Sequence, residues 1–297
     1  MKCNLFIGLF MLFATAGTSS FAQSSYQKEI DDWHSKRLEG LKAENGWLNL
    51  AGLFWLDEGK NSFGSGKQNK IVFPDGSIEA EAGYFERTGN KIKLVVTGTE
   101  TIKVNGQPSQ ETTIFNGDSA RRTPVVSVRN LNWTIIQRDD KIGVRLRDLK
   151  SPAIEKFTGV DRFPVDSIWR ISATLRANVI PQTIAITNVL GQTTQQQSPG
   201  KLLFYINNRP YMLDALEEGN ELFIIFGDAT SGKSTYPAGR FLSVEKPRSD
   251  GTTWIDFNKA YNPPCAFTPY ATCPLPPKQN ILPVAITAGE KDFGHHQ

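Results

Sequence analysis

The sequence predicts an all-β protein with a single N-terminal helix. Three observations carry that reading. From Trp47 onward, short runs rich in β-branched and aromatic residues recur every ~8–12 residues, separated by Gly, Asn, Asp and Pro turns. Only one segment, 24–44, places its apolar residues at helical spacing. Seven of the 17 prolines fall between Pro263 and Pro283, which excludes a helix or a central strand there, because proline lacks the ladder donor.

Taken in order, residues 1–22 read as a secretory signal peptide. Lys2 supplies the positive start, 5–16 (LFIGLFMLFATA) the short apolar core, and Ser20-Phe21-Ala22 a small-x-small cleavage site before Gln23. An apolar run of that length is too short to span a bilayer, which takes roughly 20 residues. Cys3 precedes the core and leaves with the peptide. No later segment is long enough to span, so the expectation is an exported, periplasmic or secreted protein without a transmembrane segment after processing. The helix follows within 23–46. Ser24 or Ser25 is its expected cap, Ile30, Trp33, Arg37, Leu38 and Leu41 its packed face, and Asn45-Gly46 its stop.

Region 47–150 is expected to be a β-sandwich. Segment 47–56 (WLNLAGLFWL) is apolar enough to be buried on both faces. Strands are expected at 71–73, 84–87, 91–96, 101–104, 125–129, 133–137 and 141–148, with Asn105-Gly106 as a tight hairpin turn. Residues 151–166, with Pro152 and Pro164, cross into a second β domain, 151–297, built as an antiparallel sandwich or barrel. Its strands are expected at 169–176, 183–188, 201–206, 209–213, 221–226, 241–244, 253–257 and 284–288, with the polar run 192–197 (QTTQQQ) as a hairpin tip or loop. The segment 256–290 interleaves its prolines with Phe257, Tyr261, Phe267, Tyr270 and Leu275. Such a rigid aromatic stretch must pack on something, and the expectation is an ordered loop that closes a site.

Charge and composition exclude several functions. Thirty-three bases and 30 acids give a formal charge of +3 with no basic stripe, so no nucleic-acid footprint is present. Of three histidines, His34 lies on the helix and His295 and His296 in the tail, so a histidine zinc site or a Ser-His-Asp triad lacks its parts. The Gly-Lys-Ser at 232–234 is not a phosphate loop, because Asp228 stands where the first glycine is required. No cofactor and no metal are expected.

Five blocks resemble one bacterial family. They are GWLNLAGLFWLDEGKNSFG (46–64), GVRLRD (143–148), FPVD…WR (163–170), FGDATSGKSTYPAGRFL (226–242) and NPPCAFTPYATCPLPP (262–277). Together they are similar to domain-of-unknown-function family 1684, across nearly all of the chain after the leader. The resemblance implies no activity. Residues 53–138 also resemble a forkhead-associated sandwich, a phosphothreonine-binding fold. Gly64-Ser65 stands where that family grips phosphate with Gly-Arg, and no histidine supplies its Ser-x-x-His element. The expectation is the fold without the phosphopeptide.

The candidate site residues are Asp228, Tyr236, Arg240, Asp256, Asn258 and Tyr261, expected to converge in one pocket walled by 263–277. Asp228, Thr230, Ser231 and Tyr236 follow an apolar strand and either donate to a ligand or make local turns. Arg240, flanked by strand residues, either pairs with Asp256 or stays free for an anionic ligand, its planar fork suiting a carboxylate. Cys265 and Cys273 form a disulfide in an oxidising compartment, a metal site short of two ligands, or a reactive thiol without a histidine. A bridge is expected on export. Three functions follow from these residues. One is a binding module for a small polar or anionic molecule. A second is a hydrolase or lyase using Asp228 or Asp256 as base with Tyr236 or Tyr261 as acid. The third is a structural envelope protein.

Overall fold

A computed structural model describes residues 17–118 and 123–294. The apolar core of the expected leader, Cys3, His295 and His296 lie outside the described residues. The chain is mostly β, with 46% strand and 14% helix. Helix α1 (Gly17–Lys42) opens it, longer at its start than expected, so that Ser24 and Ser25 lie inside the helix instead of capping it. Tyr26, Ile30 and Leu41 are buried along one stripe at i, i+4 and i+15. Past the helix end only glycine fits at position 46, because a Cβ there would lie 2.3 Å from the Leu41 carbonyl.

Eleven strands follow: β1 (Leu50–Trp55), β2 (Gly59–Gly64), β3 (Ile71–Val72), β4 (Gly83–Thr88), β5 (Lys91–Val96), β6 (Lys103–Val104), β7 (Gln107–Pro108), β8 (Glu111–Asn116), β9 (Val126–Val128), β10 (Leu131–Arg138) and β11 (Lys141–Asp148). One sheet has the order β1-β11-β10-β9-β6-β7 and the other β3-β2-β4-β5-β8. The two enclose a core in which Phe63, Phe73, Phe85 and Trp133 pack ring against ring at 4.6–6.5 Å. Asn105 and Gly106 have φ of 49° and 81° and turn β6 into β7, as their identities require.

A short helix α2 (Pro152–Lys156), capped by Ser151, leads into the second half. There β12 (Arg170–Thr187), β13 (Thr193–Ile206), β14 (Arg209–Glu218), β15 (Glu221–Phe226), β16 (Arg240–Glu245) and β17 (Thr252–Asp256) form one nearly closed, barrel-like sheet of order β16-β15-β14-β13-β12-β17. Its interior holds Phe204, Leu213, Ile224, Phe226, Leu242 and Phe257.

Three expectations are corrected here. The strands expected at 169–176 and 183–188 are one bent strand, β12, whose pairing with β13 is interrupted between Ala177 and Gln182, around Pro181. The polar run 192–197 is not a tip: 193–197 belongs to β13 and pairs with 183–187. Residues 284–288 form no strand, and their Ile286 and Ala288 carbonyls accept from Arg240 instead of from a neighbouring strand.

Helix α1 lies on the barrel half. Lys259 and Glu29 pair at 2.6 Å, Arg162 pairs with Asp31, and Arg37 reaches Glu290 at 3.4 Å. The proline-rich segment packs at the seam of the two halves. Phe267 and Ala266 meet Leu41 and Leu48, and Ala271 and Cys273 meet Ile186, Leu216 and Phe241. Cys265 and Cys273 form a disulfide there, with 6.1 Å between their Cα atoms.

Candidate functional site

Strands alternate their side chains between faces, so β14, β15 and β16 send Leu222, Ile224, Leu242 and Val244 into the barrel and Glu218, Glu221, Phe223, Phe241, Ser243 and Glu245 outward. Helix α1 runs beside that outer face and leaves two adjoining hollows. One, of about 270 Å³, is lined by Glu29, Trp33, Arg170, Glu221, Ser243, Trp254, Asp256, Lys259 and Tyr261. The other, of about 470 Å³, is lined by Trp33, Lys36, Arg37, Trp47, Glu218, Phe223, Phe241, Tyr261 and Pro264. Trp33 and Tyr261 wall both, their ring centroids 6.4 Å apart. Arg37 lies over the Tyr261 ring at 4.7 Å, and Phe241 meets the same ring edge-on at 5.9 Å.

The charges of this trough have identifiable causes. Lys259 donates to Glu29 and holds its carboxyl below the usual range, with help from Arg170. Glu221 stands opposite Glu218 on one neighbouring strand and opposite Glu245 on the other. Burial pushes the Glu218 carboxyl up, and the Glu221 charge adds to it. Burial likewise raises the Tyr261 phenol, while Arg37 and a hydrogen bond with Ser243 oppose the rise. At the floor of the smaller hollow the Tyr26 hydroxyl lies 2.9 and 3.0 Å from the two Asp256 carboxylate oxygens and accepts from Asn258 Nδ2 at 2.9 Å. Burial and the Asp256 charge together raise the Tyr26 phenol far above its ordinary value.

The six candidate residues fall into three places. Asp256 and Tyr261 line the trough. Asn258 lies just beneath it, buried, donating to Tyr26, to Asp256 and to the Asp166 carbonyl. Arg240 is not free, and its partner is not Asp256. It is fully buried and donates to Asp228 at 2.7 Å, to the Ile286 carbonyl at 3.0 Å and to the Ala288 carbonyl. The sheet register decides this. Asp228 leaves β15 directly beside Arg240, whose register partner is Phe226, whereas the Asp256 carboxylate is taken up by Tyr26 and Asn258. Asp228 also accepts from Thr230 N, Thr230 Oγ1 and Ile286 N, which makes it a structural knot. Tyr236 packs elsewhere, with Leu41, Val160, Phe267 and Phe293. The wall at 263–277 touches the trough only through Pro264.

Sequence reading missed Glu29, Arg170, Glu218, Phe223 and Phe241 as trough residues. Their signal was the outward set of alternating positions on β14–β16, which has meaning only once the strand neighbours are known. The Ser65 hydroxyl donates to the Ile78 carbonyl at 2.7 Å. Among the described residues no cluster of three or more His, Cys, Asp and Glu is placed to hold a metal. No described helix is long and apolar enough to cross a membrane.

Comparison with known proteins gives the following. The solution NMR structure of an uncharacterised protein of Haloarcula marismortui is 33% identical over 48% of this chain and 80% of that chain, with a TM-score of 0.40. The FhaA FHA domain, crystallised with the intracellular domain of Rv3910, is 19% identical over 32% of this chain and 97% of that one, at a TM-score of 0.22. A third structure, from a study of phosphothreonine-dependent FHA domain interactions, is 18% identical over 32% and 92%, also at 0.22. Scores of this size carry no inference about activity. No curated protein matches the chain. Residues 155–291, which span the whole barrel and the proline-rich segment, match the model of a protein of unknown function, DUF1684, and it is to this family that the chain belongs.

Proposed function

We propose that the protein binds a small polyhydroxylated organic molecule in the trough between α1 and the outer face of β14–β16. The observation that carries this is the pair of adjoining hollows sharing Trp33 and Tyr261. Flat aromatic walls offer apolar area at low entropic cost, and the polar groups around them offer directional hydrogen bonds, the mixture that small-molecule sites use. The smaller hollow has four carboxylates, Glu29, Glu221, Glu245 and Asp256, against Arg170 and Lys259. That balance favours hydroxyl donors over an anionic ligand. Three of the six tryptophans, Trp33, Trp47 and Trp254, line the trough, so intrinsic fluorescence reads occupancy directly. Titration with a panel of sugars and polyols should give a saturable change that Trp33→Ala removes. No response from any member, or an unchanged response in that variant, overturns the reading.

The same proposal places the protein outside the cytoplasm, with cleavage after Ala22. The anchors Tyr26, Glu29, Ile30 and Arg37 all lie beyond that point, so a helix beginning at Gln23 keeps its contacts.

A second reading, general acid–base chemistry, is favoured by one observation. Glu218, its carboxyl raised by burial, shares the larger hollow with Tyr261. Hydrolytic turnover of any sugar the trough binds, lost in Glu218→Gln with binding retained, would establish it. Binding without turnover removes it.

A further inference from the structure

Strand β11 sends Ile142, Val144 and Leu146 into the sandwich core, so Arg145 and Arg147 face outward, and Arg138 on β10 shares that face through its register partner Lys141. The face is covered by the seam with the second half. Arg138 Nε lies 3.5 Å from Thr272 Oγ1 of the proline-rich segment, and the Arg145 guanidinium lies 5.8 Å from the Trp47 ring centroid. Arg147 donates to the Gly46 carbonyl and to Asn49 Oδ1. Among the described residues none of the three arginines forms an ion pair. Arg145 is the extreme case. Its side chain is partly buried and makes no hydrogen bond to the described protein, and of its nitrogens Nε is buried without a partner. A guanidinium carries five donors in a fixed fork and is costly to bury unpaired. The Trp47 ring supplies one weak partner and no acceptor.

We propose that this arginine strip is an anion site, with Arg145 as the anchor of a small tetrahedral oxyanion at the seam. Such an anion offers the fork two parallel acceptors, which a point charge or a single carbonyl does not. It also screens Arg145 from Arg138 and Arg147, the two charges that act on it besides burial, all three pushing its pKa down to about 10. No carboxylate opposes them. The occupant would therefore brace the sandwich against the barrel half.

The probes are sodium phosphate and sodium sulfate, each added to the full chain at pH 7 against sodium chloride of matched ionic strength. Excluded-solute stabilisation by these salts rises without saturating and is indifferent to one arginine. A bound oxyanion instead raises Tm logarithmically with its concentration, steeply near Kd and more slowly above it, together with a saturable heat by titration calorimetry. Arg145→Gln should raise the apparent Kd at least about tenfold, while Arg145→Lys, which keeps the charge but loses the fork, should weaken binding less. Trp33→Ala should leave the response intact, which separates this site from the trough. A response to phosphate alone or to both salts supports the site, and each sets its selectivity. A linear response, no saturable heat, or equal responses in wild type and Arg145→Gln overturn it. If Arg145→Gln does not fold, the wild-type calorimetry and Arg145→Lys still decide.

Discussion

Arg240→Ala tests the reading of Arg240 and Asp228 as a structural knot and not a site. The wild-type guanidinium is fully buried and makes three close contacts, to Asp228, Ile286 O and Ala288 O. Truncation leaves the carboxylate and both carbonyls inside without that donor. Breaking a buried pair by removing one partner costs about 3–5 kcal/mol, and each orphaned carbonyl adds on the order of 1 kcal/mol. The sum is about 5 kcal/mol or more, a large share of the 5–15 kcal/mol typical of a folded domain. The burial that lowers the Arg240 pKa outweighs the raising effect of Asp228, so the pair as a whole adds little beyond mutual satisfaction. Replacing both members, Asp228→Leu with Arg240→Met, should therefore cost much less than the two single changes added together. Urea unfolding followed by tryptophan fluorescence and by far-ultraviolet circular dichroism gives all four corners of the cycle. A loss under about 1 kcal/mol for Arg240→Ala, or simple additivity in the cycle, would refute the argument.

Three further outcomes are expected. Tyr26→Phe removes the hydroxyl between Asp256 and Asn258 and should cost about 1–3 kcal/mol in urea unfolding. Because the folded state raises the Tyr26 pKa above its ordinary value of 10.0, its share of stability is fully present below pH 10 and is lost as pH rises further; the variant should flatten that alkaline loss. Exported protein should start at Gln23 by N-terminal sequencing and gain two mass units on reduction, and replacing both cysteines by serine should cost about 2–3 kcal/mol. Fluorescence polarisation should detect no micromolar binding of a phosphothreonine peptide library, since the Ser65 hydroxyl is committed to the Ile78 carbonyl and stands where the gripping arginine would be.

Periodicity alone determined much of this protein. The burial of Ile30 and Leu41, the Asn105-Gly106 turn, and strands such as β5 and β11 are local, because helical and i, i+2 neighbours and turn dihedrals are set by nearby residues. The proline-rich segment was legible as packed and non-helical for the same reason. Tertiary structure decided who meets whom. Arg240 had two carboxylates within plausible reach in the chain, and only the strand pairing, which sets Asp228 beside it while Asp256 holds Tyr26 and Asn258, gives it to Asp228. The trough depends on α1 crossing to the barrel half, so that Trp33 meets Tyr261, more than 200 positions away. Cross-strand neighbours such as Glu218, Glu221 and Glu245 belong to three strands whose pairing no single strand encodes. Side chains that point the same way are written in each strand, but a site exists only where separate strands and a helix bring such faces together.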